Sequence, residues 1–401
     1  MGISGLQSAR RGGGTEPAES GLRLRVHRHI AEIDPAEWDA LVPAEEIQMS
    51  HRFIRLCQDS LVENAEYRHV VIEDATGVCA IASCSAMRVR LDLLAPRPVR
   101  APMRGLRRFL PSFMIVPVLF CGLPVSFGRP CLRFRQAPPL SPGHRSRVLR
   151  LLSALMHDLG RELGVSLICF KEFAPEESAE VSELTELGYR RAPSLPSYLL
   201  PIRWPSFPAY LAAMRAGYRR QLRQARSSAG ASGLSFRSVE DFSAECPVIF
   251  ELYQQVMERA EFQLERLNLD FFERLNRDLA GESRAILAEQ DGRLVCAAIL
   301  LQRGAHTAFL LAGVDDARSR KTGAYVNLVA EVVADAIRRG AKVLEMGQTS
   351  AALKTRFGAQ ETSRDLYLRG TAPGIDRVLR LAGPLLFPSR HAQVRRVFRD
   401  P

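Results

Sequence analysis

None of the eight cysteines stands in a C-x-x-C pair, which argues against a zinc ribbon or a dithiol redox centre. Cys57, Cys79, Cys84, Cys121, Cys131, Cys169, Cys246 and Cys296 are scattered, several inside apolar runs such as "VCAIASC" and "LICF". They read as buried free thiols of a cytoplasmic protein that binds no metal. The first twenty residues, "MGISGLQSARRGGGTEPAES", lack the apolar core of a signal peptide, and Leu6 stands where a myristoylation signal needs Ser or Thr. Residues 1–20 are expected to be a disordered tail. Also absent are G-x-S-x-G, Walker, H-E-x-x-H and Rossmann fingerprints, so hydrolase, NTPase and dehydrogenase chemistries lack support. One uncharged run, "FLPSFMIVPVLFCGLPVSFG" (109–128), has the length of a membrane span. Pro111, Pro117 and Pro124 would break a helix there, and "FMIVPVLF" is rich in strand formers, so a buried strand and loop is expected.

What the chain has in quantity is positive charge. Fifty-five basic against 44 acidic side chains give a net charge of +11, which favours an anionic partner: a phosphorylated cofactor, nucleic acid or a lipid surface. An apolar content of 46% with 25% charged residues is that of a globular protein, and 401 residues suggest two domains.

The chain also repeats itself. "YRHVVIEDATGVCAIASCSAM" and "SRAILAEQDGRLVCAAILLQ" each read strand, tight turn, strand, the second with an Asp291-Gly292 hairpin signal. "VLRLLSALMHDLGRELGVSLICFKEF" and "LVAEVVADAIRRGAKVLEMGQT" each read helix, glycine stop, buried strand. A further helix and a final extended run follow in both, "SLPSYLLPI" in one and "SRDLYLRG" in the other. The expected fold is α/β (mixed α+β), with two units at 21–203 and 204–372 and a basic helical tail at 373–401. In the second unit three meandering strands precede a helix crossover, the pattern of a twisted mixed sheet whose diverging strands open a cleft.

Four stretches resemble the GNAT-like N-acyltransferase domain of the Fem-type superfamily: "YLAAMRAGYRRQLRQAR", "FELYQQVMER", "AILAEQDGRLVCAAILL" and "LEMGQTSAALKTRFGA". That group includes peptidyl transferases and the acetyltransferase domain sometimes fused to biotin-pathway synthases. The resemblance covers about 205–370 well and 22–200 chiefly through the duplication, and implies two tandem GNAT-like units. It implies transfer of an acyl group to an amine of a small molecule, amino sugar or peptide. Acyl-CoA would be the co-substrate, and no cofactor would be permanently bound. An aminoacyl-tRNA donor, as in Fem-type peptidyl transferases, and a non-catalytic binding protein are the alternatives. No heptad run marks a coiled-coil arm for tRNA, which favours acyl-CoA.

Glu345 lies in the strand-like "KVLEMG", where alternation puts Val343, Glu345 and Gly347 on one face. It is either an ion pair between sheet and helix or a catalytic group that binds or deprotonates the amine; a desolvated carboxylate with a raised pKa suits the second. The resemblance makes Lys354 the lysine of a K-x-x-F-G pattern and a second catalytic candidate, against the alternative of a solvated helix lysine. Gln348 and Arg356 flank it as candidates for substrate contact, and Thr349 is a candidate helix cap. Arg318, Arg320, Lys321 and Gly323 match the R-x-x-G part of a GNAT cofactor loop, but Tyr325 stands where a small residue belongs; Thr322 there is a candidate N-cap. Arg215, Arg219, Arg223 and Arg226 form one stripe on a helix, with Arg219 and Arg223 assigned to an anionic substrate. The basic C-terminus, interrupted by Pro384 and Pro388, either docks on the domain or lies on an anionic membrane.

Overall fold

The computed structural model describes residues 21–90, 115–125, 127–260, 265–387 and 395–399. The first half supplies strands β1 (Arg23–His27), β2 (Glu66–Asp74), β3 (Gly77–Arg90), β4 (Ile115–Cys121), β5 (Leu132–Phe134), β6 (Leu167–Phe173), β7 (Arg190–Pro193) and β8 (Ser197–Pro201). The second supplies β9 (Ser235–Val239), β10 (Ser283–Gln290), β11 (Arg293–Arg303), β12 (His306–Val314), β13 (Val343–Glu345), β14 (Gln360–Thr362) and β15 (Asp365–Gly370). Asp291 and Gly292 both take left-handed φ, 52° and 71°, the conformation a two-residue hairpin turn demands, and β10 pairs antiparallel with β11. The helix Ala324–Arg338 then crosses over to bring β13 parallel to β12. Gly340, at φ 72°, ends that helix as its left-handed cap. The first half repeats this parallel step, β4 against β6.

Each sheet is completed by the other half. The first runs β1-β2-β3-β4-β6-β15-β7, with β5 on β3, and the second runs β14-β8-β13-β12-β11-β10-β9. The halves drawn in sequence at 203 and 204 therefore exchange their last strands. A shared core backs the exchange: Ile30, Trp38 and Phe53 pack in one buried cluster with Phe271, Phe272, Leu287 and Ile299. All eight cysteines are free and buried. Within the uncharged run, β4 is a sheet strand that contains Pro117; residues 109–114 lie outside the described residues, as do residues 1–20. No helix among the described residues is long and apolar enough to cross a membrane.

The C-terminal tail departs from its expected pattern. Its helix, Pro373–Leu386, runs through Pro384, because a proline costs a helix one hydrogen bond without forbidding it. Beyond it Val397 is buried, Arg215 N–H donates to its carbonyl at 2.8 Å, and the Phe398 ring lies tilted against Trp204 with centroids 4.5 Å apart. That end of the tail docks on the second half.

The exchange predicts that the first half cannot fold alone, since β15 occupies an interior place in its sheet. A fragment spanning 21–203 should lack a cooperative melt by circular dichroism. A sharp transition near that of the whole chain would contradict this account.

Candidate active site

β12 and β13 pair only at His306–Val343, Thr307–Leu344 and Ala308–Glu345, whereas on its other side β12 stays paired with β11 to Val314. Gly347, at φ 72°, turns the chain away from the sheet. Beyond Ala308 the two chains part around a cleft of about 840 Å³. One wall is Phe309 to Ala312, where a bulge leaves Leu310 without a partner on β11. Another is Met346 to Lys354, and a third is Tyr253, Val256, Met257, Ala260 and Glu265. The first half contributes Leu195, Pro196 and Tyr198 through the exchanged strand β8. Gln348 holds that strand's approach by donating from Nε2 to the Leu195 carbonyl at 2.8 Å. Gly128 lies so close that a Cβ there would sit 2.1 Å from Ser197 Oγ.

Lys354 is buried, 5% exposed, on the short helix Ala351–Arg356. Its Nζ lies 5.9 Å from the Tyr198 ring centre and makes no hydrogen bond or ion pair among the described residues. Burial pulls its pKa down to about 7, with Glu345 nearby resisting the fall. The solvated lysine that helical position alone suggests is thus replaced by an amine that is partly neutral near pH 7.

Glu345 is 2% exposed and heavily partnered. His306 Nε2 and Arg129 Nε each donate to its Oε2 at 3.1 Å, while its Oε1 is buried without a partner. Burial alone would raise its pKa, but the His306 hydrogen bond and the Arg129 charge outweigh it and hold the carboxyl below the ordinary range. The expected raised pKa is therefore overturned, and the ion pair joins sheet to first-half loop rather than sheet to helix. Arg129 reaches Glu46 Oε1 at 3.4 Å, and Arg133 binds Glu46 at 2.6 Å and 2.7 Å, so a buried chain of charge links the halves. Sequence reasoning missed His306, Arg129, Arg133 and Glu46. The available signal was a run of arginines in apolar "FGRPCLRFR"; their carboxylate partners lie far away in sequence.

Of the other expected site residues, Gln348 lines the cleft and the rest do not. Arg356 bonds Gln221 Oε1 at 3.2 Å. Arg215 and Arg219 are engaged by carbonyls of Phe398, Ala212 and Met214, and Arg226 pairs with Glu331 at 2.7 Å, so the stripe is largely neutralised or tied down within the chain. Arg223 alone of the four is exposed without a partner among the described residues. Arg318 lies 3.8 Å from Asp315, Arg320 pairs with Asp316, and Lys321 is exposed. The expected cofactor loop is a helix, Asp316–Thr322, that turns at Gly323 (φ 66°) into the next helix. Thr322 is no N-cap: its hydroxyl donates back to the Arg318 carbonyl at 3.0 Å. Gly323 holds the cap position, and Ser319 Oγ accepts the Tyr325 N–H at 3.1 Å. Likewise Ser350, not Thr349, holds the N-cap position of the helix carrying Lys354, without a side-chain capping bond. Asp74, Cys79 and His144 place donor atoms within 4.8 Å of one another, but Asp74 is held by Arg135 at 2.8 Å and burial pushes the Cys79 thiol up to about 11, which suits an ion pair better than a metal.

Residues 213–355, which contain β12, β13 and most of the cleft, match the family described as acetyltransferase (GNAT) domain. A Mycobacterium tuberculosis protein provisionally named 8-amino-7-oxononanoate synthase 2 is 26% identical over 330 residues, covering 80% of this chain and 42% of its own. The chain thus spans less than half the length of that relative. Among solved structures, FemX superposes with a TM-score of 0.53 at 12% identity, over 84% of this chain and 96% of its own. A conserved protein of unknown function from Bacteroides thetaiotaomicron superposes with a TM-score of 0.51 at 10% identity, over 84% and 97%. The likeness to FemX is one of fold.

Burying Lys354 costs stability. Its folded pKa of about 7 lies below the unfolded lysine value, so the cost is full below pH 7 and fades as pH climbs toward that value, roughly 10.4. Lys354→Met should therefore raise the melting temperature at neutral pH, by an amount that shrinks toward about pH 10. A lower melting temperature at every pH would mean that Lys354 ties the structure together.

Proposed function

We propose that the chain is an N-acyltransferase that moves an acyl group from acyl-CoA directly to an amine. The observation that carries this reading is the buried, unpartnered Lys354 amine on the wall of a GNAT-type cleft, with a pKa of about 7. An acceptor amine arrives as its ammonium ion. Neutral Lys354 takes one proton, the freed lone pair attacks the thioester carbonyl, the C–N bond forms and the C–S bond breaks. Lys354 releases that proton to solvent, then takes the second proton from the attacking nitrogen and passes it to the leaving thiolate. Backbone groups on the unpaired edge of β12 beyond Ala308 are the candidates to hold the oxyanion. Glu345, ionised and paired, positions this wall and biases Lys354 electrostatically; it is not the base.

One observation favours a second donor. The Tyr325 N–H is committed to Ser319, so the corner at Gly323 has fewer free amides for a CoA pyrophosphate. An aminoacyl-tRNA would bring its ester to the same cleft, with exposed Arg220 and Arg223 outside it for the phosphate backbone. Free buried thiols suit a cytoplasmic setting, and contact of the basic tail with an anionic membrane fits the net charge.

Calorimetric titration with acetyl-CoA, then with charged tRNA, separates the donors; silence toward both would favour a non-catalytic binding protein. With the donor that binds, single-turnover rates should rise with pH through about 7 as Lys354 loses its proton. Lys354→Ala and Lys354→Arg should each lower turnover about tenfold to a hundredfold and erase that limb. An unchanged limb in Lys354→Ala would assign the base elsewhere.

A further inference from the structure

The same cleft carries a second ionisable group that this chemistry does not use. Among the described lining residues, Glu265 is the one carboxylate and Lys354 the one lysine or arginine. Glu265 Oε2 is buried and has no hydrogen-bond partner, and an unmade bond at a buried polar atom costs about 1–3 kcal/mol. Its backbone is locked in place. The Tyr253 hydroxyl donates to the Glu265 carbonyl at 3.1 Å and accepts from Leu267 N–H at 3.2 Å, and Asn268 Nδ2 donates to the Ser60 carbonyl at 2.6 Å. The helix residues that line the cleft with it, Val256, Met257 and Ala260, are apolar. A fixed carboxyl with an idle oxygen, in a cleft that apolar side chains also line, matches a cationic group on a methylene chain.

We propose that Glu265 selects the acceptor by receiving a second ammonium group, so that the acceptor class is an aliphatic diamine or a molecule built like one. This rests on the acyltransferase reading, in which the other amine is acylated beside Lys354. The charged and titratable groups around Glu265 are Lys171 and Glu172 of β6, Glu63 of the turn Val62–Asn64, Cys57 of the helix His51–Asp59, and Tyr253. Burial raises the Glu265 pKa to about 8, with Lys171 opposing and Glu172 and Glu63 adding to the rise. At neutral pH the carboxyl is mostly protonated, so pairing with an ammonium ion drives that proton into solvent.

The test titrates putrescine and cadaverine into the intact protein at about pH 7, in two buffers of different ionisation enthalpy, with diols of the same lengths as neutral controls. Wild type should bind the diamines and release a proton, and should ignore the diols. Glu265→Gln should abolish the release and weaken binding about tenfold, and Glu265→Asp should restore part of both. With acetyl-CoA present, Glu265→Gln should cut the kcat/KM ratio of diamine over n-butylamine by about tenfold. No diamine binding to wild type, equal binding of diols, or diamine binding to Glu265→Gln as tight as wild type would each overturn the proposal. Diamine binding that depends on Glu265 without thiol release from acetyl-CoA would uphold the site and overturn the acyltransferase reading. Thiol release with n-butylamine, alongside diamine selectivity indifferent to Glu265→Gln, would do the reverse.

Discussion

β8 lies hydrogen-bonded between β13 and β14, and β15 lies between β6 and β7, so each half lends the other an interior strand. The cleft depends on this exchange. Without β8 the free side of β13 would lack its partner, and Tyr198 would not stand under the Lys354 amine. The exchange also draws the first half's Gly128 loop against Ser197, where no side chain fits, and brings Arg129 to Glu345. A site assigned to the second half by its domain match is thus walled and charged by the first.

The electrostatics divide along a simple line: which buried group has a partner. Glu345 has two donors on one oxygen, which favours its ionised form over the effect of burial. Lys354 is equally buried but lacks a direct partner, so desolvation prevails and its neutral form gains. Glu265, also without a partner for one oxygen, shifts in the direction burial dictates for an acid. Lys354 and Glu265, two unpaired groups of opposite type, line one cleft, and the proposed site rests on that coincidence. Arg284 and Asp335, joined at 2.6 Å and 3% and 1% exposed, pair away from the cleft, although Arg284 Nη2 is left without a partner.

Much of the fold was legible because it rests on local chemistry. The Asp291-Gly292 turn, the glycine stop at Gly340 and the alternation that turns Glu345 inward each follow from a few adjacent residues. The arginine stripe was legible as a helix face and misleading as a surface. Helical spacing aligned Arg219, Arg223 and Arg226, but Arg215 stands at the N-cap before the helix, and carbonyls or a carboxylate hold Arg215, Arg219 and Arg226. The corner at Gly323 failed in a similar way: R-x-x-G describes a glycine at a helix start, and says nothing of Ser319 reaching forward to cap Tyr325.

By itself the amino-acid order determined the strands, the turns, the duplication and the inward carboxylate, since periodicity and turn conformation act over a few residues. It also marked Lys354 as worth attention through the residues around it. Tertiary structure decided the rest: which strand joined which sheet, that Lys354 lost its water, that Glu345 gained His306 and Arg129, and that Glu265 faces the same cleft. The reason is physical. The protonation of an ionisable group is set by the dielectric and the charges within a few ångströms, and here those neighbours come from chain segments separated by tens to hundreds of residues.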